Sequence, residues 1–206
     1  MKSNTARPAI KSSPRSTHKT MRPLLTFAMI EESRDLFTDH ATLHTGIGKI
    51  NAAHALVKSI TNNRPDIVIN LGTAGSPLFK TGTITNPTKF IQRDMNVTAL
   101  GFVPYQTPFS DDPVIIEHGE RVKHLPTGIC GTGDSFDITS KTQIDYTIID
   151  MEAYALALIC QRENLPFLCL KYISDGADEN ANMDWNETLS QAATALRRTL
   201  DEYLAL

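Results

Sequence analysis

Short apolar runs that alternate with helical patterns constrain the fold of this chain more than any other feature of its sequence. Seven runs follow one another, at 24–29, 41–45, 67–71, 83–91, 127–130, 147–150 and 167–174. Apolar residues recur at helical spacing in three further segments, which are 49–63, the stretch from Met151 to Ile159, and the tail from about Trp185 to Leu204. Strands that alternate with helices predict an α/β domain, whose largely parallel sheet is covered on both faces.

The first twenty residues have a different composition from the rest. Residues 1–22 carry six basic side chains and no acid, and they are rich in Ser and Thr with little apolar surface to bury. This composition fits a disordered tail, an over-extended start before Met21, or an organelle transit peptide. We therefore expect a leader over 1–20 and a single α/β domain over 21–206.

Composition also limits the kinds of binding partner and the cellular compartment that we expect for the protein. Net acidity after the leader argues against nucleic acid as the main partner, since phosphate binding needs a basic surface. No apolar run approaches the roughly 20 residues of a membrane span. The three cysteines are odd in number with no C-x-x-C spacing, which favours reduced thiols in the cytoplasm. The scattered histidines predict no metal site.

The stretch GIGKINAA at 46–53 has two interpretations. Its glycines resemble a dinucleotide-binding fingerprint, or they form a tight strand-to-helix turn of another α/β fold. A dinucleotide site needs an acid at the end of the next strand, where this chain has Asn70, Leu71 and Gly72, and Asp66 stands at the beginning of that strand. The dinucleotide interpretation therefore fails.

Three carboxylates follow apolar runs at the point where each predicted strand ends. They are Glu32, Glu152 and Asp175. Each has an ordinary explanation, because Glu32 and Glu152 fall in predicted first helical turns and Asp175 precedes a glycine in a possible turn. Since ligands of open α/β sheets bind beyond the carboxyl ends of strands, their convergence instead predicts a site for a neutral or cationic ligand.

Seven stretches in order resemble the purine nucleoside phosphorylase/nucleosidase superfamily, and within it the 5′-methylthioadenosine/S-adenosylhomocysteine nucleosidases. They are AMIEE (28–32), GIGKINAA (46–53), VINLGTAGS (68–76), RDMNVTALGF (93–102), GTGDSF (131–136), DMEAYALA (150–157) and ISDGAD (173–178). The resemblance implies a three-layer αβα sandwich with a mixed, largely parallel central sheet. It further implies a cofactor-free hydrolase that acts on a small-molecule adenine nucleoside.

The same resemblance implies roles at the reacting centre. Glu32 would activate the attacking water, and Asp175 would protonate N7 of the leaving purine with Ser174 orienting its carboxyl. Glu152 would accept hydrogen bonds from the sugar hydroxyls, and Thr73 would lie near the ribose and the water. This division suits the chemistry, because an oxocarbenium-like transition state needs a base for water and an acid for the leaving group.

Other matched positions would bind the rest of the substrate. Phe136 would stack on the base with Asp137 beside it, Met151 would lie under the ribose, and the 5′-substituent would contact Met29, Ile47 and Trp185. The family is usually dimeric, and three apolar positions match residues that reach into the neighbour's pocket: Val97, Leu100 and Phe102.

Charge favours hydrolysis over phosphorolysis. The loop after the first strand carries Glu31 and Glu32, which would repel a phosphate dianion, and Arg34 and Arg93 are the candidates to offset them. A phosphorylase and a catalytically silent nucleoside-binding protein remain the alternatives.

Several departures from the family pattern leave the exact substrate open. The segments 33–45 and 103–126 are short, Asp137 replaces an apolar residue, and Lys171 replaces an expected arginine. Methylthioadenosine, S-adenosylhomocysteine, 5′-deoxyadenosine or another 6-aminopurine nucleoside fits, with Asp175 favouring adenine.

Overall fold

A computed structural model describes residues 21–135, 146–175 and 185–205 of the chain, with the side chains of residues 175, 185 and 186 outside that description. Its strands are β1 (Pro23–Phe27), β2 (Ala41–His44), β3 (Ile67–Gly75), β4 (Ile84–Thr85), β5 (Lys89–Gln92), β6 (Ile116–Glu117), β7 (Ile129–Thr132), β8 (Ile148–Asp150) and β9 (Phe167–Asp175). Its helices are α1 (Ile30–Ser33), α2 (Lys49–Asn62), α3 (Ala153–Arg162) and α4 (Trp185–Leu204), with a 3-10 turn at Thr98–Leu100.

Each of the seven apolar runs overlaps at least one strand, and five of them match its bounds to within two residues at each end, while the other two differ more. The run 83–91 holds two strands, β4 and β5, which are separated at Asn86-Pro87 because proline has no N–H for a strand ladder. The run 67–71 continues to Gly75. The short strand β6 was not predicted, whereas Glu32 lies in a helical turn as expected, although α1 is only a single turn long.

Helix α3 begins later than its apolar spacing predicts. The Asp150 carboxylate accepts the backbone N–H groups of Glu152 (3.3 Å) and Ala153 (2.8 Å), so the first helical residue is Ala153. Glu152 is therefore the residue before the helix, and the prediction that it lies in the first helical turn was wrong. Its carboxylate is free to contact another element.

The strand order confirms the mixed, largely parallel sheet. The path runs β2-β1-β3-β8-β7-β5-β6, and β9 pairs with β3 on one side and β4 on the other. Five of the eight described pairings are parallel, and three are antiparallel. Because β1, β3 and β9 run parallel, their carboxyl ends lie at one rim.

Helices cover both faces of the sheet, which confirms the three layers. One apolar cluster packs α2 and α3 on the strands through side chains such as Leu56 and Leu156. The opposite cluster packs α4, through Leu196 and Leu200, on the alternate residues of β1 and β3. Full burial of each of these leucines contributes about 1.5–3 kcal/mol. No helix within the described ranges is long and apolar enough to cross a membrane.

Candidate active site

Glu32 and Thr73 meet at the rim formed by β1, β3 and β9. Glu32 lies in α1, directly after β1, and is 5% exposed. Its Oε1 accepts both the backbone N–H and the hydroxyl of Thr73, each at 2.9 Å, and its Oε2 accepts the N–H of Ala28 at 3.1 Å. Its neighbour Glu31 is exposed. The structure thus buries one acid of the pair and fixes its carboxylate with three donors.

Gly72 leaves the space that the Glu32 carboxylate occupies. A Cβ atom at this position would lie 3.0 Å from Oε1 and 3.4 Å from Oε2 of Glu32. The glycine is therefore needed for the close approach of the backbone to the carboxylate.

Glu152 lies between the end of β8 and the beginning of α3 and is 7% exposed. Its Oε1 accepts the backbone N–H of Gly48 at 2.8 Å, across 104 positions of the sequence. Burial, followed by the nearby Asp150 carboxylate, raises the pKa of Glu152 to about 7, and the Glu32 charge acts in the same direction. The carboxyl therefore changes its charge near neutral pH.

A buried ion pair lies behind Glu152. Lys171 Nζ is 3.0 Å from Asp150 Oδ2, and both side chains are almost fully buried. Asp150 Oδ1 also accepts the Thr132 hydroxyl at 2.5 Å. Burial acts to raise the pKa of Asp150, but the Lys171 ammonium and the Thr132 hydroxyl hold it below its ordinary value. Lys171, which stands where an arginine was expected, thus neutralises the charge of the buried Asp150 carboxylate beside the site.

The glycine turn before α2 binds carboxylates of the chain itself. Gly46 and Gly48 have φ of 81° and 92°, which favour glycine. The N–H of Gly48 donates to Glu152, and the N–H of Lys49 donates to Asp134 Oδ1 at 2.9 Å. These amides are the groups that would hold a pyrophosphate in a dinucleotide site, and here they are occupied.

The end of β9 comes to the same rim through the strand register. Thr73 pairs with Tyr172 and Gly75 with Asp175, and Ser174 is the extra residue of a β-bulge between these pairs. The Ser174 hydroxyl donates to the Ala74 carbonyl at 3.4 Å. Since bulges redirect side chains and are frequent beside active sites, the irregular end of β9 suits a functional role.

The remaining predicted contacts fall into two groups. Met29 precedes α1, Ile47 lies between the two turn glycines with 47% exposure, and Met151 precedes Glu152, so these three border the rim. Val97, Leu100 and Phe102 instead follow β5, which is three strands from β3 in the sheet order. They leave the sheet from a different strand than the residues around Glu32.

Four predicted positions lie wholly or partly outside the described residues. Phe136 and Asp137 lie outside the described residues. Asp175 and Trp185 have described backbones, at the end of β9 and the beginning of α4, while their side chains lie outside the description.

Sequence reasoning missed residues that act on the predicted carboxylates. Gly72 provides the space beside Glu32, Gly48 provides the amide for Glu152, and Asp150 with Lys171 forms the ion pair behind it. The glycines at strand ends could have indicated these contacts, because glycine lets the backbone approach another group closely. The pairing of Asp150 with Lys171 had no local signal.

Comparisons with known proteins agree on one superfamily. The family model described as the Phosphorylase superfamily matches residues 39–205. A 5′-methylthioadenosine/S-adenosylhomocysteine nucleosidase of Anoxybacillus flavithermus is 32% identical over 73% of this chain and 74% of its own length. Two solved structures of Helicobacter pylori proteins share the fold, each with a TM-score of 0.80 and 20% identity. The 5′-methylthioadenosine/S-adenosylhomocysteine nucleosidase covers 90% of this chain and 98% of its own, and the futalosine hydrolase covers 92% and 99%.

Proposed function

Because the chain belongs to the phosphorylase superfamily, and within it to the family of 5′-methylthioadenosine/S-adenosylhomocysteine nucleosidases, we propose that it releases adenine from a 5′-substituted adenine nucleoside. The substrate class comprises methylthioadenosine, S-adenosylhomocysteine and 5′-deoxyadenosine. The observation that carries the proposal is the Glu32 carboxylate, which is buried and held by three donors beside Glu152 at the rim where β9 ends.

Glu32 is the base for the attacking water. Three of the roughly four acceptor positions of a carboxylate are filled by Ala28 and Thr73, so one direction remains for a water molecule. Fixed donors also keep the carboxylate from rotating, which lowers the cost of orienting the water for attack at the anomeric carbon. Its negative charge stabilises the positive charge that develops on the sugar.

Glu152 binds the ribose hydroxyls in its ionised form. Among the described residues only the Gly48 amide donates a hydrogen bond to its carboxylate, which leaves acceptor positions for two neighbouring hydroxyls. Met151 beside it packs under the sugar, and Met29, Ile47 and Trp185 surround the 5′-substituent.

Asp175 is the acid that protonates N7 of adenine, and Ser174 orients its carboxyl. Adenine leaves poorly as an anion, so the proton must be delivered as the N-glycosidic bond breaks. Phe136 stacks on the base, with Asp137 beside it. The position of residue 175 at the end of β9, paired with Gly75, supports this assignment because it brings the chain to the Glu32 rim.

Hydrolysis is favoured over phosphorolysis by the positions of the charges. Glu32 is buried where a phosphate nucleophile would have to approach, and close like charges are strongly repulsive in a protein site. The Arg93 guanidinium donates to the Gly133 carbonyl at 3.3 Å, to the Ser135 hydroxyl at 3.2 Å and to the Ser135 carbonyl. It is thus engaged by the 133–135 loop.

A homodimer is part of the proposal. Leu100 is 73% exposed, and Phe109, which is 96% exposed, stacks edge-on against Phe102 at 5.5 Å between ring centroids. Together with Val97 they form an apolar surface that a second copy would cover. Light scattering should give a dimer for the wild type and a monomer for Leu100→Asp, and an active wild-type monomer would refute the dimer.

A single domain over 21–206 and a cytoplasmic location complete the proposal. Cys130, Cys160 and Cys169 are free and buried, which suits a reducing compartment. Fractionation of the source cells tests the location. Removal of residues 2–20 should leave turnover unchanged, and loss of turnover would place part of the leader in the domain.

Adenine release by the purified protein is the decisive test of the reaction. Methylthioadenosine, S-adenosylhomocysteine and 5′-deoxyadenosine are supplied in phosphate-free buffer and again with phosphate. We expect release without phosphate, and none from Asp175→Asn. Release only with phosphate would identify a phosphorylase, while saturable binding without release would identify a nucleoside-binding protein.

A further inference from the structure

A charged cluster outside the carboxylate pocket holds the turn before α2. Lys49 Nζ contacts both carboxylate oxygens of Asp94, with Oδ2 at 2.6 Å, and lies 3.6 Å from Asp134 Oδ2. Asp94 Oδ2 also accepts the N–H of Asp134 at 2.8 Å. The Lys49 side chain is 16% exposed, that of Asp94 26% and that of Asp134 43%. This triad of Lys49, Asp94 and Asp134 is partly shielded from solvent and is not part of the proposed reacting centre.

Within the triad, the turn before α2 is held through both the backbone N–H and the side-chain ammonium of Lys49. Asp134 Oδ1 accepts the Lys49 N–H at 2.9 Å, while Lys49 Nζ holds the Asp94 carboxylate that binds the Asp134 amide. A Cβ atom on Gly48 would lie 3.0 Å from Asp134 Oδ1, so the turn and the carboxylate are in close contact. Gly48 therefore packs directly against the Asp134 carboxylate of the triad.

Strand pairing explains why these residues meet. Strands β5 and β7 are parallel, with Gln92 opposite Thr132, so Asp94 and Asp134 leave the sheet side by side. Burial acts to raise the pKa of Asp94, but the Lys49 ammonium and the Asp134 amide hold it below its ordinary value. Asp94 thus remains charged at neutral pH.

Gly48 connects the triad to Glu152. Its N–H donates to Glu152 Oε1 at 2.8 Å, and it is adjacent to Lys49 in the chain. We propose that Lys49, Asp94 and Asp134 are positioning residues, which hold the Gly48 amide against Glu152 and thereby orient this carboxylate for the sugar hydroxyls. The proposal rests on the sugar-binding role given to Glu152 above.

The charge of Glu152 supplies a readout for this connection. Its carboxyl faces Asp150 on β8, Lys171 on β9, Glu32 on α1 and the Gly48 amide at α2. The Gly48 hydrogen bond and Lys171 lower the pKa of Glu152, whereas burial, Asp150 and Glu32 raise it. Loss of the Gly48 bond should therefore move the ionisation of Glu152 to higher pH.

The first experiment is a double-mutant cycle on adenine release. Lys49→Met should lower kcat/KM at pH 7 by about tenfold in the wild-type background, mainly through KM, and by less than about twofold in a Glu152→Gln background. Lys49→Arg keeps the cation and should recover most of the loss. Lys89→Met removes an exposed lysine from the ion pair with Glu117, at the other end of β5, and should have no effect. An equal tenfold loss in both backgrounds would overturn the proposal.

The second experiment does not depend on turnover. In protein labelled with ¹⁵N-glycine, the Gly48 amide shift should titrate with Glu152, with a midpoint near pH 7 in the wild type. Lys49→Met should move the midpoint upward or abolish the titration. An unchanged Gly48 titration in Lys49→Met would overturn the proposal. If Lys49→Met changes the Gly48 titration but the wild-type protein releases no adenine, the link from the triad to Glu152 stands and the proposed function is refuted.

Discussion

Glu32 and Glu152 are two buried acids at the same rim, yet the protein surrounds them differently. Glu32 accepts three hydrogen bonds, from Ala28 and from the amide and hydroxyl of Thr73. Glu152 accepts one within the described residues, from Gly48. The donors of Glu32 come from Ala28, directly after β1, and from Thr73, within β3, whereas the donor of Glu152 comes from the turn before α2.

The difference matches two kinds of ligand. A carboxylate with one remaining acceptor position suits a single water molecule, while one with several suits a pair of sugar hydroxyls. The neighbouring charges differ as well, because Glu152 alone lies in front of the Asp150–Lys171 pair. We therefore expect loss of Glu32 to act on turnover and loss of Glu152 to act on binding and pH dependence.

The largest expected effect is that of Glu32→Gln. It should lower kcat by about a thousandfold with little change in KM, because the base for the water is lost while the sugar and base contacts remain. Glu31→Gln, which changes the exposed neighbour, is the matched control and should leave kcat unchanged. Adenine release at saturating substrate measures both, and a Glu32→Gln enzyme of near-normal rate would remove the catalytic role of Glu32.

Breaking the ion pair behind Glu152 should mainly lower stability. Lys171→Met leaves Asp150 buried without its cation and should reduce the free energy of unfolding at pH 8 by about 3–5 kcal/mol. The deficit should shrink as pH falls and Asp150 takes up a proton. Urea unfolding at several pH values measures it, with the exposed Lys58→Met as control. Equal stability of Lys171→Met and Lys58→Met would contradict the importance of the pair.

Glu152→Gln should weaken binding and strengthen the fold. We expect kcat/KM to fall by about a hundredfold, since charged acceptors for the sugar hydroxyls are lost. In the wild type the folded pKa of about 7 lies above the ordinary 4.5, so the native state holds its proton more tightly and stability falls as pH rises through this window. Glu152→Gln should lack that fall and be more stable at pH 8 by roughly 2 kcal/mol.

The same pKa predicts the pH profile of the wild type. Below about pH 7 the protonated Glu152 accepts fewer hydrogen bonds, so kcat/KM should decrease toward acid pH. Measurement of kcat/KM from pH 5 to 9 tests this limb. A profile whose acid limb is the same in Glu152→Gln would assign the limb to another group.

The smallest expected effect is that of Gly72→Ala. The added methyl group would lie 3.0 Å from Glu32 Oε1, so the carboxylate must shift by a few tenths of an ångström. We expect about a tenfold loss of kcat with KM nearly unchanged, because only the orientation of the water is disturbed. Gly119→Ala, whose Cβ would have its nearest neighbour at 3.4 Å, is the control. A fully active Gly72→Ala enzyme would show that the Glu32 pocket tolerates displacement.

Local patterns account for the parts of the fold that were predicted correctly. Helix α2 was expected at 49–63 and occupies Lys49–Asn62, since its apolar spacing extends over several turns. Strand β6 has two residues and α1 has four, which is too short for any period to appear. The beginning of α3 was missed because the Asp150 side chain determines it.

The chain's order of strands, helices and strand-end acids was readable from sequence alone, because periodicity and turn chemistry act between near neighbours. The carboxylate environments were decided only in the tertiary structure. Gly48 meets Glu152 across 104 positions, and Lys49 meets Asp134 across 85. Such contacts depend on which parallel strands lie side by side and in what register, and desolvation at the buried rim then raises the pKa of Glu152.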